Sequence, residues 1–332
     1  MRVLVTGAAG KLGSNLTRRL REGGHEVRAL VLPGDQYVSR IKPFEPEVLE
    51  GDFFDPAVAE GAVAGVDAVV NLASIGHYAR DDRHFYVTDT VGTYNLLWAA
   101  GKQGGLERFV QASSTVSYGP TLYEPTDETH PQRPNSALGA TKLTAEVLCS
   151  EFQAEHGIPT VRLRFTWVHA GLDFLTYQMR LPGMLGRAKG AAGRGLSGAA
   201  EAVARLEAIQ ATGKDTVIGA RGPSGKNWKS HTVDVRDLVS FVETVLEHPA
   251  ASGEAFNVAS PEPIRYDAAG PYLAGKLGLP YEEVAMPTEM SVHVSTARAR
   301  GLLGWRPRYD WFASVDDALR MERGEDVGVV RL

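Results

Sequence analysis

Three glycines, Gly7, Gly10 and Gly13, punctuate the opening stretch MRVLVTGAAGKLG at a regular three-residue spacing. A backbone bare at that spacing can turn tightly, let a pyrophosphate approach, and seat a helix close on its strand. The flanking residues supply both elements. Val3, Leu4 and Val5 make a short β-branched run suited to a buried parallel strand, and Leu12, Leu16 and Leu20 recur at helical spacing. Strand, glycine turn and helix in that order read as a dinucleotide site, with Gly7, Gly10, Lys11, Leu12 and Gly13 around the phosphates. The nine histidines show no HExxH spacing, so no metal site is expected, and no GxSxG elbow is present. The single cysteine, Cys149, lies in a predicted helix (AEVLCSEF) and reads as a small buried hydrophobe.

The elements that must position this chemistry alternate along the chain. A second strand (VRALVL) ends at Leu32, where an acidic residue would take the adenosine ribose hydroxyls and an arginine would take a 2′-phosphate. Neither is there. The cofactor expected is NAD, with NADP left open and Lys11 or Arg28 as phosphate partners. A third strand runs into Gly51-Asp52-Phe53, placing Asp52 to accept from an adenine amino group with the Phe53 ring nearby. A fourth (AVVNL) ends in Leu72-Ala73-Ser74, again on the cofactor side. Phe109-Val110-Gln111 enters Ser113-Ser114-Thr115, and TVRLRF forms a sixth strand.

Strands and helices alternating at these lengths predict an α/β fold with a doubly wound parallel sheet of Rossmann type and a smaller, interleaved C-terminal part. Residues 1–165, with 215–260 returning, are assigned to dinucleotide binding, and 166–214 with 261–332 to the substrate. Residues 183–200 (GMLGRAKGAAGRGLSGAA) read as a mobile cover or loop. The 332 residues carry 35 Lys and Arg against 40 Asp and Glu, a net charge of −5, with no basic block. That balance points away from nucleic acid and membrane surfaces. One cysteine, no leader before the first strand and no bilayer-length apolar run suit a cytoplasmic protein.

Several stretches, in order, resemble the extended short-chain dehydrogenase/reductase family of NAD(P)-dependent sugar-nucleotide epimerases, dehydratases and reductases. TGAAGKLG matches the TGxxGxxG turn, and GDFFD matches the segment whose first Asp binds adenine, here Asp52. VVNLAS takes the place of HLAA, with Asn71 where His is usual. VGTYNLLWAA, FVQASSTVSYG, HTVDVRDL and LGWRP match further family segments. The resemblance implies a hydride-transferring enzyme on a carbohydrate-like alcohol or ketone, and a homodimer built from the helices 85–100 and 139–155. It also implies a catalytic Ser/Thr, Tyr and Lys. Ser114 aligns with the hydroxyl that bonds the reacting oxygen. Lys142, in LGATKLTAE, aligns with the lysine that holds the nicotinamide ribose.

The tyrosine position of YxxxK is Leu138, which has no proton to exchange. Three readings follow: another acid/base, a relay through the substrate or water, or a catalytically inactive dinucleotide-binding or sensing protein. Tyr118, His77, Tyr78 and His169 are the replacement candidates. Two further departures concern the substrate. Trp167 stands where the family's RxxN stretch has Asn, and Ser230 stands where an Arg commonly grips a nucleotide diphosphate, with Lys226 and Lys229 close by. These favour a smaller sugar, sugar acid or polyol as a competitor to a sugar nucleotide.

Overall fold

The computed structural model describes residues 1–74, 82–176 and 178–331, with 82 and 84 described by their backbone alone. Its centre is one parallel sheet of seven strands. We label β1 (Arg2–Thr6), β2 (Glu26–Val31), β3 (Glu47–Glu50), β4 (Ala68–Asn71), β5 (Arg108–Ser114) and β6 (Thr160–Phe165). They stand in the order β6-β5-β4-β1-β2-β3, and Ala255–Val258 closes the β6 edge. This is the doubly wound arrangement the alternation predicts. The central strands are apolar on both faces because helices cover both. One face packs Leu16 and Leu20 of the helix Lys11–Glu22 with Val242 and Val245 of Val235–Glu247. The other packs Leu96, Leu97, Cys149 and Phe152. Leu16 and Leu20 are wholly buried, each contributing about 2 kcal/mol.

Strand order reverses at β1. Thr6 pairs with Leu30 of β2 on one side and Asn71 of β4 on the other. The crevice beyond the ends of β1 and β4 is the place where such sheets take ligands.

A second core lies outside the sheet, around Met184, Leu206, Trp228, Tyr266, Leu273 and Val315. Two sequence expectations are corrected here. Residues 183–200 are not a loop: Leu181–Gly193 and Ala199–Gln210 are helices packed on one another. Buried Leu181, Met184, Leu185, Ala188 and Ala191 give the first an apolar face, while its glycines fall mostly on the exposed side. The stretch from residue 215 also does not return at once to the sheet. Val217–Arg221 pairs with Tyr281–Ala285 in the second core, and the chain rejoins the first core at Val233. Among the described residues no helix is long and apolar enough to cross a membrane.

Candidate functional site

The glycine turn is shaped by close backbone approach. Gly7 has φ +62°, and a Cβ there would lie 3.1 Å from the Ala73 Cα. A Cβ on Gly13 would lie 2.2 Å from the Gly7 carbonyl oxygen, so any side chain would push the helix off β1. Gly10 precedes the helix Lys11–Glu22, no side chain caps that end, and no acid sits in its first turn. The leading N–H groups of a helix lack intrahelical acceptors. An uncapped, acid-free N-terminus at the crevice therefore suits an anionic pyrophosphate. The residues present fit a dinucleotide.

A buried polar network braces this edge. The Thr6 hydroxyl donates to Asn71 Oδ1 at 2.6 Å and accepts from the N–H groups of Leu72 and Ala73, each at 3.1 Å. Asn71 Nδ2 donates onward to Thr93 (3.1 Å) and Gln111 (2.9 Å). Asn71 thus ties β4 to its neighbours. Leu72 and Ala73 are half-buried at the crevice, and Ser74 is exposed. On the adenosine side, Leu32 is 56% exposed at the end of β2. Asp52 is exposed and accepts from Phe54 N–H at 3.0 Å. Phe53 is buried, its ring over Gly92, where a Cβ would clash at 2.2 Å. Both phosphate partners considered from the sequence are occupied. Arg28 is buried against Glu47 and the carbonyls of Gly61, Ala62 and Ala64. Lys11 Nζ pairs with Asp173 at 2.5 Å and donates to the Val168 carbonyl at 3.3 Å.

Val168 belongs to the wall of a cavity of about 380 Å³ beyond the ends of β5 and β6. Ser114, Asn135, Ser136, Trp167, His231 and His293 supply much of its polar and aromatic lining. Ser114 sits where β5 turns into the short helix Thr115–Tyr118, and its Oγ accepts from Val116 N–H at 3.3 Å. The helix Ala137–His156, capped by Ser136, carries Leu138 and Lys142. Lys142 Nζ lies 3.0 Å from Asp89 Oδ1, with the two side chains 6% and 0% exposed, and Thr141 bonds the other Asp89 oxygen at 3.1 Å.

The acid/base candidates fare differently. Tyr118 lines the cavity, but its hydroxyl donates to Asn257 Oδ1 (2.7 Å) and accepts from Arg164 (3.1 Å). Burial pushes that hydroxyl up to about 12 despite Arg164, unsuited to proton exchange near neutrality. His169 is buried against Phe174 outside the cavity wall, and burial lowers its pKa to about 4. His77 and Tyr78 lie outside the described residues. Cys149 is a core residue whose thiol burial raises to about 12.

Two histidines that sequence reasoning missed are in the wall. His231 is buried, accepts from Val294 N–H at Nδ1 (3.2 Å), and faces the Ser260 carbonyl with Nε2 at 2.9 Å. Nδ1 accepts, so Nε2 carries the hydrogen and the ring is neutral; burial holds its pKa at about 4. His293 is half-buried, with its ring 5.7 Å from that of His231. The segment carrying it is stitched down by Thr126 N–H to the His293 carbonyl (2.8 Å) and Val292 N–H to the Lys229 carbonyl (3.0 Å). Glu124 stands nearby. Its burial favours the neutral acid, but bonds from Lys229 and Ser291 and the charges of Lys229 and His293 outweigh that and hold its pKa low. Lys229 is therefore paired with Glu124, and Ser230 is buried. His231 stands inside the HTVDVRDL match and could have been noticed there; SVHVS around His293 carries no motif.

The family model described as the NAD dependent epimerase/dehydratase family matches residues 3–259. The low-salt glycan biosynthesis protein Agl12 of Haloferax volcanii is 32% identical over 173 residues, 49% of this chain and 56% of that protein. A 3 beta-hydroxysteroid dehydrogenase/Delta 5-->4-isomerase of Mycobacterium tuberculosis is 36% identical over 175 residues, 49% of this chain and 46% of that protein. The chain thus spans about half the length of these two relatives. Among solved structures, a short-chain dehydrogenase/reductase superfamily protein from Agrobacterium tumefaciens with bound NAD superposes with a TM-score of 0.85. It is 28% identical, over 98% of both chains.

Proposed function

The chain belongs to the NAD dependent epimerase/dehydratase family, and from that premise we propose an NAD-dependent oxidoreductase or epimerase acting on a hydroxyl or carbonyl of a carbohydrate-like substrate. One observation carries the reading. The glycine turn and the polar cavity lie along the same edge of the sheet, joined by Lys11 reaching the Val168 carbonyl in the cavity wall. The backbone of Gly10, Lys11, Leu12 and Gly13 holds the pyrophosphate. Leu32, Asp52 and Phe53 take the adenosine end, and Leu72, Ala73 and Ser74 border the crevice. Bound there, NAD supplies hydride acceptance or donation at a substrate carbon. The bound NAD of the Agrobacterium protein and the engagement of Arg28 and Lys11 elsewhere support NAD over NADP.

In the cavity, Ser114 would hydrogen-bond the reacting oxygen; Lys142, buried outside the cavity lining and steadied by Asp89, would hold the nicotinamide ribose. His293 takes the proton role that Leu138 cannot. Of the imidazoles and phenol in the described wall, Tyr118 and His231 have their polar atoms bonded to the protein, which leaves the His293 ring to exchange a proton with a ligand. Calorimetry with NAD is the first test, and absence of binding ends this reading. Nicotinamide absorbance during incubation with sugars, sugar acids and nucleotide sugars is the second. NAD binding without turnover on any of them favours the non-catalytic sensing reading, for which Leu138 is the supporting observation.

A homodimer belongs to the same proposal. Tyr86, Val87, Val91, Tyr94 and Trp98, with Val147 of the Lys142 helix, are large apolar residues left 37–58% exposed. A second copy covering this stripe removes it from water. Trp98→Glu is expected to convert a dimer to a monomer in sedimentation; an unchanged mass excludes this face.

A further inference from the structure

The described arginines that are not on the open surface are, with one exception, hydrogen-bonded to acceptors. Arg164 holds Glu146, Arg236 holds Asp234 and Asp317, Arg180 holds Asp215, and Arg298 holds Glu254. Arg187 is the exception. It stands half-buried on the helix Leu181–Gly193, and no acceptor among the described residues takes its N–H groups. Its guanidinium carbon lies 5.5 Å from the centroid of the Trp167 ring. Trp167 is 36% exposed and forms part of the cavity wall.

A guanidinium resting over an indole makes its contact through the π face of the ring and leaves most of its N–H donors for another acceptor. Those donors are arranged as a fork matching a carboxylate or phosphate. Half-burial removes part of the water that would otherwise satisfy them. Of the two lysines near Ser230, Lys229 is neutralised by Glu124 and Lys226 is exposed. We infer that Arg187, carried on the Trp167 ring, selects a substrate whose carbohydrate ring bears an oxyanion, either carboxylate or phosphate. Trp167 supplies the apolar wall and Arg187 the charge. This rests on the reading of the cavity as the substrate site.

The test is calorimetry on the full chain, with and without NAD, using D-galactose, D-galacturonate and D-galactose 1-phosphate as probes. At least one anion should bind about tenfold or more tightly than galactose. The anion that does so distinguishes carboxylate from phosphate. Arg187→Gln should erase the preference, Arg187→Lys should retain part of it, and both variants should bind NAD as the parent does. Trp167→Leu should weaken all three sugars together. Equal affinity for the three, binding of none, or a preference that survives Arg187→Gln overturns the inference. A preference for an anion in a protein that fails to bind NAD supports the inference while removing the dinucleotide reading.

Discussion

The crevice at β1 and β4 and the cavity beside it are made of different material. The crevice is backbone: a turn with φ +62° at Gly7, a helix end without a cap, and a Gly13 packed too closely for one added carbon. The cavity is side chains brought together from residues 114–136, 165–168, 231 and 292–294. The first has the shape and the free N–H groups that suit what every dinucleotide shares, its phosphates. The side chains of the second can differ without altering the backbone of the first, because no residue in its wall lies within the glycine turn. A fold can therefore keep its cofactor grip while Leu138, Trp167 and Ser230 depart from its relatives.

The largest expected effect tests the backbone side. Gly13→Val places atoms where a Cβ already meets Gly7 O at 2.2 Å and Ala8 Cα at 2.7 Å. NAD binding should become unmeasurable by calorimetry, with a stability loss of about 1–3 kcal/mol from overpacking. Gly10→Ala, whose Cβ meets Gly7 O at 3.1 Å, should be far milder. If both variants bind NAD normally, the crevice is not the site. On the cavity side, His293→Gln should lower kcat by about a hundred- to ten-thousandfold while leaving NAD affinity unchanged. A drop in NAD affinity instead would show that His293 also serves the cofactor.

Asp89 holds Lys142 and Thr141 of the helix Ala137–His156. Asp89→Ala leaves Lys142 charged and buried without its partner, a loss of about 3–5 kcal/mol readable in urea unfolding. Asp89→Asn, which keeps a carbonyl acceptor, should lose less. A smaller effect follows from the two buried histidines. His169 and His231 have folded pKa values near 4, below the ordinary value near 6.5. Between those limits the unfolded chain binds more protons, so stability falls as pH drops from about 6.5 to about 4 and levels off below. Each contributes up to about 3 kcal/mol of this. Asp237, raised to about 6 by burial, acts in the opposite sense and offsets part of it. His231→Asn should flatten the slope of melting temperature against pH; an unchanged slope would show that His231 titrates normally.

The parts of the molecule legible in the sequence follow from the same division. Backbone recognition needs glycine at fixed spacing between a strand and a helix, and that pattern is contiguous in residues 2–20. The sheet was equally readable, since buried parallel strands are apolar runs. The cavity was not, because its wall is assembled by tertiary contacts among segments spread from residue 114 to residue 294. His293 has no neighbours in sequence that mark it. Tyr118 looked available because nothing local shows Asn257 and Arg164 meeting its hydroxyl. The run 183–200 misled through its glycines. Only the packing of the whole helix on a second one, with Ala188 and Ala191 buried, shows why small residues are tolerated there.

Lys11 links the two materials, with its ammonium on Asp173 and the Val168 carbonyl. A dinucleotide phosphate that drew this lysine toward itself would loosen the wall at Val168, and a wall held in place by a ligand would hold the lysine back. Affinities at the two places are then bound by reciprocity: the factor by which one ligand alters the other is the same in either direction. An order of loading, with one ligand preparing the place of the next, is the kinetic form such a latch takes.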